Sequence, residues 1–432
     1  MNSGDKISFA PAERLEGSIT VPGDKSISHR ALFISAVASG ISRIDNILIA
    51  DDTMSTAQCL RALGIEIEIK DTTAVISGKG MYGFKEPSQV LDAGNSGTTA
   101  RILLGLLSTQ DFFSVLTGDN SLRTRPMKRI TVPVAAMGAS IDGRDHANYL
   151  PLSVRGNRLK GIDYTMPTAS AQVKTGILLA SLGAKGVMTV REPFATRDHT
   201  ERMLKASGID VKISDKIIQL ACSQKPLPLN IRVPGDFSSA AFFMGAGMIA
   251  RHSDVLITHV GINPGRTGFL DIVKKMGASL EVTNTRFETG EPVADIRVRH
   301  SDLHGIVIDD KELIIRSIDE LPLIAVLAAY ARGQTSIKNA AELRVKESDR
   351  IKAVVDGLLR IGIKAREFPD GLSIEGGTVK GGSVSSYGDH RIAMSFAVAS
   401  VSSEKEIFID NFDAVRISFP EFISLFNAVR SA

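Results

Sequence analysis

Several basic residues follow small or polar turns that introduce apolar, helix-like runs. Lys25 and Arg30 follow the first such turn, Arg101 follows the second, and Arg391 follows the last. The first turn of a helix offers free N–H groups and the positive end of its dipole, so cations placed there add to a site for anions. A single Lys or Arg is usually just solvated, but these recur at equivalent places. The pattern predicts binding sites for anionic groups.

Two acids, Asp319 and Glu347, stand where their surroundings could tune proton transfer. Asp319 precedes an apolar run, where the alternative is a helix N-cap, and its neighbour Glu320 is interpreted as the solvated partner. Glu347 lies between Lys346 and Arg350, where the alternative is a helical salt bridge. A carboxylate among cations and apolar walls suits general acid or base catalysis, because the environment sets its pKa. The residues alone leave both alternatives open.

The turn Val21–Asp24 returns as Val233–Asp236, and each copy opens an apolar run. The first copy continues with Lys25, whereas the second continues with Phe237. We therefore expect the first copy to carry chemistry and the second to serve packing.

The chain contains an internal repeat that must position these residues. Six apolar runs begin near Gly23, Gly94, Thr168, Gly235, Ile318 and Gly388. Five are followed by a second helix signal that ends at Gly64, Gly138, Gly208, Gly277 or Gly362, and then by an alternating segment. Glycine is the usual left-handed stop of a helix, and the alternation is typical of a half-buried strand. Successive glycines lie 74, 70, 69 and 85 residues apart, which predicts a repeat of roughly 70 residues with one insertion around 285–291.

The two copies of the turn indicate where the halves of the chain correspond. They lie three units apart, and Pro22-Gly23 and Pro234-Gly235 have the chemistry of hinges, since Pro fixes one dihedral and Gly frees the next. We expect one domain over 23–234 and a discontinuous one made of 1–22 and 235–432. Each would hold three units, with the active site in the cleft between them.

Composition excludes several classes of protein. At 432 residues, with 43% hydrophobic and 23% charged residues, the chain predicts two ordinary globular domains. No apolar stretch is long enough to span a membrane, and the amino terminus lacks a secretory signal, so we expect a cytoplasmic protein. Its two cysteines have no metal-ligand or disulfide spacing. A net charge of +3 without a basic tail argues against a nucleic-acid partner.

Eight longer motifs carry a resemblance to a known family. They are PGDKSISHR (22–30), GNSGTTAR (94–101), RTRPM (123–127), ASAQVK (169–174), TRDHTERM (196–203), IDELP (318–322), LRVKESDR (343–350) and GDHRIAMS (388–395). In this order they closely resemble the 5-enolpyruvylshikimate-3-phosphate synthase family, from about Gly17 to Phe422. The SAQ and TRDHTE forms are similar to those of its second sequence subgroup.

The resemblance implies an α/β fold of two similar domains, each with three βαβαββ-type units, helices inside and sheets outside, as an inside-out α/β barrel. It implies transfer of the enolpyruvyl group of phosphoenolpyruvate to the 5-hydroxyl of shikimate 3-phosphate, with release of phosphate through a tetrahedral intermediate. This is a step of the shikimate pathway to chorismate and aromatic amino acids, and the target of glyphosate. The resemblance implies no metal or organic cofactor, and we expect a monomer whose domains open and close on substrate.

The resemblance also assigns residues. Shikimate 3-phosphate is expected at Lys25, Ser26, Arg30, Ser170, Ala171, Gln172, Arg197, Asp319 and Lys346. Phosphoenolpyruvate is expected at Lys25, Gly97, Arg125, Gln172, Arg350 and Arg391. Asp319 takes the proton of the 5-hydroxyl, Glu347 protonates the methylene carbon, with roles that could be shared or exchanged, and Lys25 and Arg125 stabilise the departing phosphate. Many relatives have a lysine at the position of Ile417, beside Arg416, so that position is left out of the site.

Two rival functions follow from the same observations. The enolpyruvyl transferase family that acts on UDP-N-acetylglucosamine typically has a reactive cysteine in its active-site loop, whereas the comparable loop here, SLRTRPM, has none. A non-catalytic anion- or RNA-binding repeat protein would need exposed stacking aromatics. The chain has no Trp and only 5 Tyr, which disfavours that function.

Overall fold

The structure, a computed structural model, describes residues 6–12 and 14–430. Within these residues the chain forms two compact units. The amino-terminal unit comprises Gly23–Val233 together with the short segment Phe287–Glu291. The carboxy-terminal unit comprises the described residues up to Pro22, then Pro234–Arg286, and then the described chain from Pro292 onwards.

The helical segments, in chain order, are α1 Lys25–Val37, α2 Asp51–Ala62, α3 Gly97–Leu107, α4 Lys128–Ala136, α5 Arg144–Ala147, α6 Ala171–Leu182, α7 His199–Ala206, α8 Phe237–Ile249, α9 Gly268–Lys275, α10 Lys311–Arg316, α11 Leu321–Ala329, α12 Arg350–Arg360, α13 His390–Ala399 and α14 Phe422–Val429. The six predicted apolar runs correspond to α1, α3, α6, α8, α11 and α13. Each of these six helices is buried along nearly its whole length.

The strands are β1 Ile7–Phe9, β2 Arg14–Thr20, β3 Ser39–Asp45, β4 Glu66–Lys70, β5 Thr73–Lys79, β6 Leu91–Asp92, β7 Phe113–Thr117, β8 Ser140–Gly143, β9 Tyr149–Arg155, β10 Asp163–Thr165, β11 Val187–Arg191, β12 Val211–Ser214, β13 Ile217–Ala221, β14 Asn230–Arg232, β15 His252–Gly261, β16 Leu280–Glu288, β17 Glu291–Arg299, β18 Val307–Ile308, β19 Gln334–Ile337, β20 Lys364–Phe368, β21 Gly371–Glu375, β22 Gly382–Val384 and β23 Ile407–Ile409. The predicted insertion is the turn of the long β16–β17 hairpin.

The sheets repeat one topology. The amino-terminal unit has three four-stranded sheets, in the orders β14-β3-β5-β4, β6-β7-β9-β8 and β10-β11-β13-β12. Each begins with a parallel pair and continues with antiparallel pairs. The carboxy-terminal unit has the sheets β2-β15-β17-β16, β18-β19-β21-β20 and β1-β23-β22. The predicted sixfold repeat is confirmed, but the described strands form six separate sheets and do not close into a barrel.

Within each unit the buried helices are central and the sheets cover them. Strands such as β9 alternate buried and less buried residues, as expected when one face of a sheet packs on helices. The second helix of each repeat, α12 for example, buries one face and exposes the other. All five predicted stop glycines have positive φ, from +83° at Gly208 to +116° at Gly138. In the described chain, the helices are too short or too polar to cross a membrane.

Candidate active site

The amino-terminal unit brings the predicted anion-binding residues to the first turns of three buried helices. Lys25 is the first residue of α1, Gly97 of α3 and Ala171 of α6. The side chains of Asp24, Ser96 and Ser170 cap these helices by accepting backbone N–H groups. We call the set the cation cluster: Lys25, Ser26, Arg30, Gly97, Arg125, Ser170, Ala171, Gln172 and Arg197.

Lys25 is held at the start of α1 by an acid that the sequence did not single out. Its Nζ lies 3.0 Å from Oδ2 of Asp52, the second residue of α2. Asp52 is buried, and its carboxylate offsets the charge of the Lys25 ammonium where little solvent is present to do so. One turn later, burial and the charges of Lys25 and Arg30 hold the pKa of His29 well below its ordinary value.

Arg30 is buried and ties three helices together. Its guanidinium donates to Oγ1 of Thr200 at 2.8 Å, to the carbonyl of Ser26 at 2.8 Å and to the carbonyl of Ala171 at 3.2 Å. The first turns of α1 and α6 are therefore fixed relative to α7. Arg197 joins the same corner, because its NH1 donates to Oγ of Ser26 at 3.0 Å.

Arg125 and Gln172 are oriented by neighbouring polar groups. Arg125 donates to Oδ1 of Asn95 at 2.8 Å, which places its guanidinium beside the start of α3. Oε1 of Gln172 accepts from Arg101 at 2.7 Å, and its Nε2 donates to Thr98 at 2.9 Å. Arg101, noted in the sequence but left unassigned, thus fixes which way the Gln172 amide faces.

Gly97 lies against the same arginines. A Cβ at this position would sit 2.8 Å from NH1 of Arg101 and 3.6 Å from NH1 of Arg125. The resemblance places Gly97 against phosphoenolpyruvate, where a larger residue would crowd the ligand. The contacts show that it would first press on the arginine that orients Gln172.

The carboxy-terminal unit holds the remaining predicted residues in a second group. We call it the acid–arginine cluster: Asp319, Lys346, Glu347, Arg350 and Arg391. Arg350 begins α12 and is 1% exposed. Its guanidinium contacts Asp389 with Nε to Oδ2 at 2.7 Å, Glu347 with NH2 to Oε2 at 2.6 Å, and Asp319 with NH1 to Oδ1 at 3.9 Å.

Charge balance in this group depends on burial. Burial favours the neutral form of Arg350, but Asp389 and Glu347 outweigh it and raise the pKa of the guanidinium above its ordinary value. Burial likewise opposes ionisation of Asp389, yet Arg350 holds the pKa of that carboxyl below its usual range. Burial lowers the pKa of Lys346, although Asp319 opposes the shift. Of the alternatives kept for the two acids, the ion pair of Glu347 with Arg350 is present, and the residue at the N-cap of α11 is Glu320 and not Asp319.

Arg391 faces the start of α11. Its NH1 donates to the backbone carbonyl of Asp319 at 3.1 Å, and its NH2 lies 3.8 Å from Oδ2 of the same residue. Asp319 therefore contacts both Arg350 and Arg391, two of the residues expected to bind phosphoenolpyruvate. The exposed Arg416, next to Ile417, lies in the 3-10 helix Phe412–Ile417.

The interpretation of Glu320 as a solvated residue was wrong. Glu320 is 4% exposed, and its Oε1 accepts a hydrogen bond from Ser238 and lies 3.8 Å from NH1 of Arg391. Burial, and then the charge of Asp319, raise the pKa of the Glu320 carboxyl to about 7. Nothing local in the sequence separated Glu320 from its neighbour, since its partners come from residues far away in the chain.

Across the described residues, no group of three or more His, Cys, Asp and Glu side chains is arranged to hold a metal ion. The two groups instead offer cations, helix starts and paired carboxylates. Such sites can bind phosphate and carboxylate groups, and can take and give protons beside them.

Comparison with known proteins gives a consistent result. The model of the family described as EPSP synthase (3-phosphoshikimate 1-carboxyvinyltransferase) matches residues 9–426. The chain is 48% identical over 420 residues to the 3-phosphoshikimate 1-carboxyvinyltransferase of Citrifermentans bemidjiense, covering 97% of this chain and 98% of the relative. It is 50% identical over 419 residues to the protein of the same name from Alkaliphilus metalliredigens, covering 96% and 98%.

Solved structures agree with the fold. The EPSP synthase of Acinetobacter baumannii superposes with a TM-score of 0.87 at 46% identity, covering 98% of each chain. The enolpyruvyl transferase NikO of Streptomyces tendae superposes with a TM-score of 0.81 at 16% identity, covering 99% of this chain and 98% of that one. At that identity the second likeness concerns the fold alone.

Proposed function

Because this chain belongs to the EPSP synthase family, we propose that it transfers the enolpyruvyl group of phosphoenolpyruvate to the 5-hydroxyl of shikimate 3-phosphate and releases phosphate. The reaction belongs to the shikimate pathway, which leads to chorismate and the aromatic amino acids. The observation that carries the proposal beyond the family match is the placement of Asp319 and Glu347 on one arginine, Arg350.

The cation cluster suits the phosphate groups. A phosphate monoester carries about −1.5 to −2 charges at neutral pH, and Lys25, Arg125 and Arg197 supply cations beside helix starts. Ser26, Ser170 and Gln172 supply oriented polar groups for shikimate 3-phosphate. Arg30 contributes by fixing the first turns of α1 and α6, because the contacts of its buried guanidinium join them.

The acid–arginine cluster suits the carboxylate of phosphoenolpyruvate and the proton transfers. Arg350 and Arg391 carry planar guanidinium groups, which match a carboxylate. Asp319 takes the proton of the 5-hydroxyl, and Glu347 delivers a proton to the methylene carbon, which becomes a methyl group in the tetrahedral intermediate. The C–O bond to phosphate then breaks while the methyl group loses a proton, which restores the double bond, and Lys25 and Arg125 stabilise the charge of the departing phosphate.

A specific observation disfavours the UDP-N-acetylglucosamine enolpyruvyl transferase. The loop around Arg125, residues 121–127, has no cysteine, whereas that family typically carries a reactive one there. Cys59 lies on α2, where burial and then Asp92 raise its thiol pKa to about 12. Such a thiol is a poor nucleophile at neutral pH.

The test is phosphate release by the purified protein. Phosphoenolpyruvate with shikimate 3-phosphate should give release, and each substrate alone should give none. Release only with UDP-N-acetylglucosamine as acceptor would select the rival family. Nucleic acid should not compete at low salt, and competition without any turnover would favour the non-catalytic alternative.

Three further points belong to the same proposal. The hinge chemistry of Pro22-Gly23 and Pro234-Gly235 supports the proposal that the two domains close when the substrates bind. Equal scattering radii with and without both ligands would contradict closure. We also infer a cytoplasmic monomer, supported by the two free cysteines and the mixed surface charge, and sedimentation measurements test its oligomeric state.

A further inference from the structure

The second copy of the duplicated turn carries a buried polar network. Asp236 caps α8 by accepting from the N–H of Ser239, as Asp24 caps α1. One residue after Phe237, the hydroxyl of Ser238 donates to Oε1 of Glu320 and accepts from Arg266. The second copy does pack, because Phe237 is fully buried against Phe269, but it also carries this polar network.

The network joins four elements of the carboxy-terminal unit. Ser238 lies on α8, Arg266 lies between β15 and α9, Glu320 directly precedes α11, and Arg391 lies on α13. NH2 of Arg266 lies 3.7 Å from Oδ1 of Asp236, so the guanidinium bridges the cap of α8 and the hydroxyl of Ser238. Arg266 is 4% exposed, and the whole arrangement is shielded from solvent.

The network ends at the guanidinium of Arg391. NH1 of Arg391 lies 3.8 Å from Oε1 of Glu320 and donates to the carbonyl of Asp319. These two contacts come from consecutive residues at the start of α11, and they restrict how the guanidinium plane can turn. A planar fork binds a carboxylate through two parallel hydrogen bonds only when that plane is correctly oriented.

We propose that Glu320, held by Ser238 and Arg266, is a positioning residue that orients Arg391 to bind the carboxylate of phosphoenolpyruvate. The inference rests on the proposed function, in which Arg391 binds that carboxylate. The two copies of the turn then have different roles in the enzyme. The first copy supplies Lys25, which contacts the substrates, and the second copy supplies Ser238, which holds Glu320 beside Arg391.

Ionisation of Glu320 should make kcat/KM for phosphoenolpyruvate depend on pH, which a purely structural role of this residue would not do. Asp319 is the acid beside Glu320, and Arg391 and Arg266 are the cations facing it. Because its pKa is raised to about 7, Glu320 gains a proton as pH falls below that value. The neutral carboxyl should hold Arg391 less firmly.

The test compares two variants with a matched control. Glu320→Gln removes the charge and keeps an oxygen for Ser238, and Ser238→Ala removes the hydroxyl. Ser400→Ala is the control, because this buried serine donates to the carbonyl of Ala397 at the opposite end of α13 from Arg391. We expect KM for phosphoenolpyruvate to rise about tenfold in the first two variants, which corresponds to about 1.4 kcal/mol of lost binding free energy. KM for shikimate 3-phosphate should stay unchanged, as should both constants in the control.

The pH dependence supplies the second arm. The ratio of wild-type to Glu320→Gln kcat/KM for phosphoenolpyruvate should be largest above pH 7 and should approach one below pH 6. Unchanged KM values, equal rises for both substrates, or a ratio independent of pH would overturn the proposal. Arg391→Lys tests the role of Arg391 separately from the proposed function. If this variant is active and binds phosphoenolpyruvate normally, the assignment of Arg391 is wrong. If the wild-type protein releases no phosphate from the two substrates, the proposed function itself is wrong.

Discussion

Oε2 of Glu347 lies 2.6 Å from NH2 of Arg350, which follows it by three residues. Glu347, the proposed acid, is thus paired with the arginine that we propose binds phosphoenolpyruvate. The same guanidinium contacts Asp319 at 3.9 Å. One buried cation therefore sets the positions of both proposed proton-transfer groups.

Glu347→Gln should lower kcat by at least about a hundredfold, the lower end of the contribution of general acid–base catalysis. The amide keeps an oxygen to accept from Arg350, so KM for phosphoenolpyruvate should change little. Steady-state phosphate release measures both constants, with Glu404→Gln as an exposed control. A near-normal kcat would remove Glu347 from the mechanism.

Asp319→Asn should produce a comparable loss of turnover, because the amide cannot take the proton of the 5-hydroxyl. The backbone carbonyl that accepts from Arg391 is retained, so phosphoenolpyruvate binding should survive. Equilibrium binding of phosphoenolpyruvate and single-turnover kinetics together test whether binding is retained while the chemical step is slowed. Lost binding with a normal chemical step would reassign Asp319 to substrate binding.

Asp389 is expected to matter for stability as well as for the site. It is fully buried, pairs with Arg350, and caps α13 through the N–H of Arg391. Asp389→Ala leaves the buried guanidinium without this partner, and breaking such a pair costs about 3–5 kcal/mol. Asp310→Ala is the matched control, since Asp310 caps α10 through Leu313 and cap removal alone costs about 1 kcal/mol. Urea titrations should show the larger decrease in the free energy of unfolding only for Asp389→Ala.

Local signals in the sequence were enough to find many of these residues. The helix starts were visible because Gly, Ser and Asp precede apolar runs, and the stop glycines because only they tolerate the left-handed turn easily, as at Gly138. The repeat then placed Lys25 and Arg391 in the first turns of corresponding helices.

What the sequence could not predict depends on contacts between distant residues. Asp52 is an ordinary acid in the first turn of a helix until α1 and α2 place it against Lys25. Glu320 and Asp319 are adjacent and chemically alike, and what distinguishes the buried one is distant partners such as Ser238, 82 residues away. Hydrophobic periodicity carries no information about such polar pairs.

A buried charge cluster beside the cation cluster should stabilise the amino-terminal unit. Nζ of Lys174 lies 3.0 Å from Glu192 and 2.6 Å from Glu201, and all three side chains are at most 3% exposed. Lys174→Met would leave two carboxylates buried without their cation, and should destabilise the protein by about 3 kcal/mol. Burial already raises the pKa of Glu201, although Lys174 opposes the shift.

The triple variant Lys174→Met, Glu192→Gln, Glu201→Gln should recover most of this loss, because no buried charge then lacks a partner. Lys79→Met serves as the surface control: its pair with Glu66 is solvent-exposed and should contribute less than about 1 kcal/mol. Free energies of unfolding from denaturant titrations decide between these outcomes. A triple variant no more stable than Lys174→Met would show that the cluster contributes through packing alone.

His29 should make stability depend on pH in a defined window. Its pKa is lowered by burial and by Lys25 and Arg30, and its Nδ1 lies 2.7 Å from Oγ1 of Thr56. As pH falls through 6.5, the ordinary value, the unfolded chain gains a proton that the folded chain resists. The contribution of His29 to stability is therefore present above that pH and lost below it.

His29→Asn removes the titrating ring, so its unfolding free energy should fall less between about pH 6.5 and 5 than that of wild type. His146→Asn, at an exposed histidine, is the control and should keep the wild-type slope. Equal slopes in wild type and His29→Asn would mean that His29 accepts a proton in the folded state.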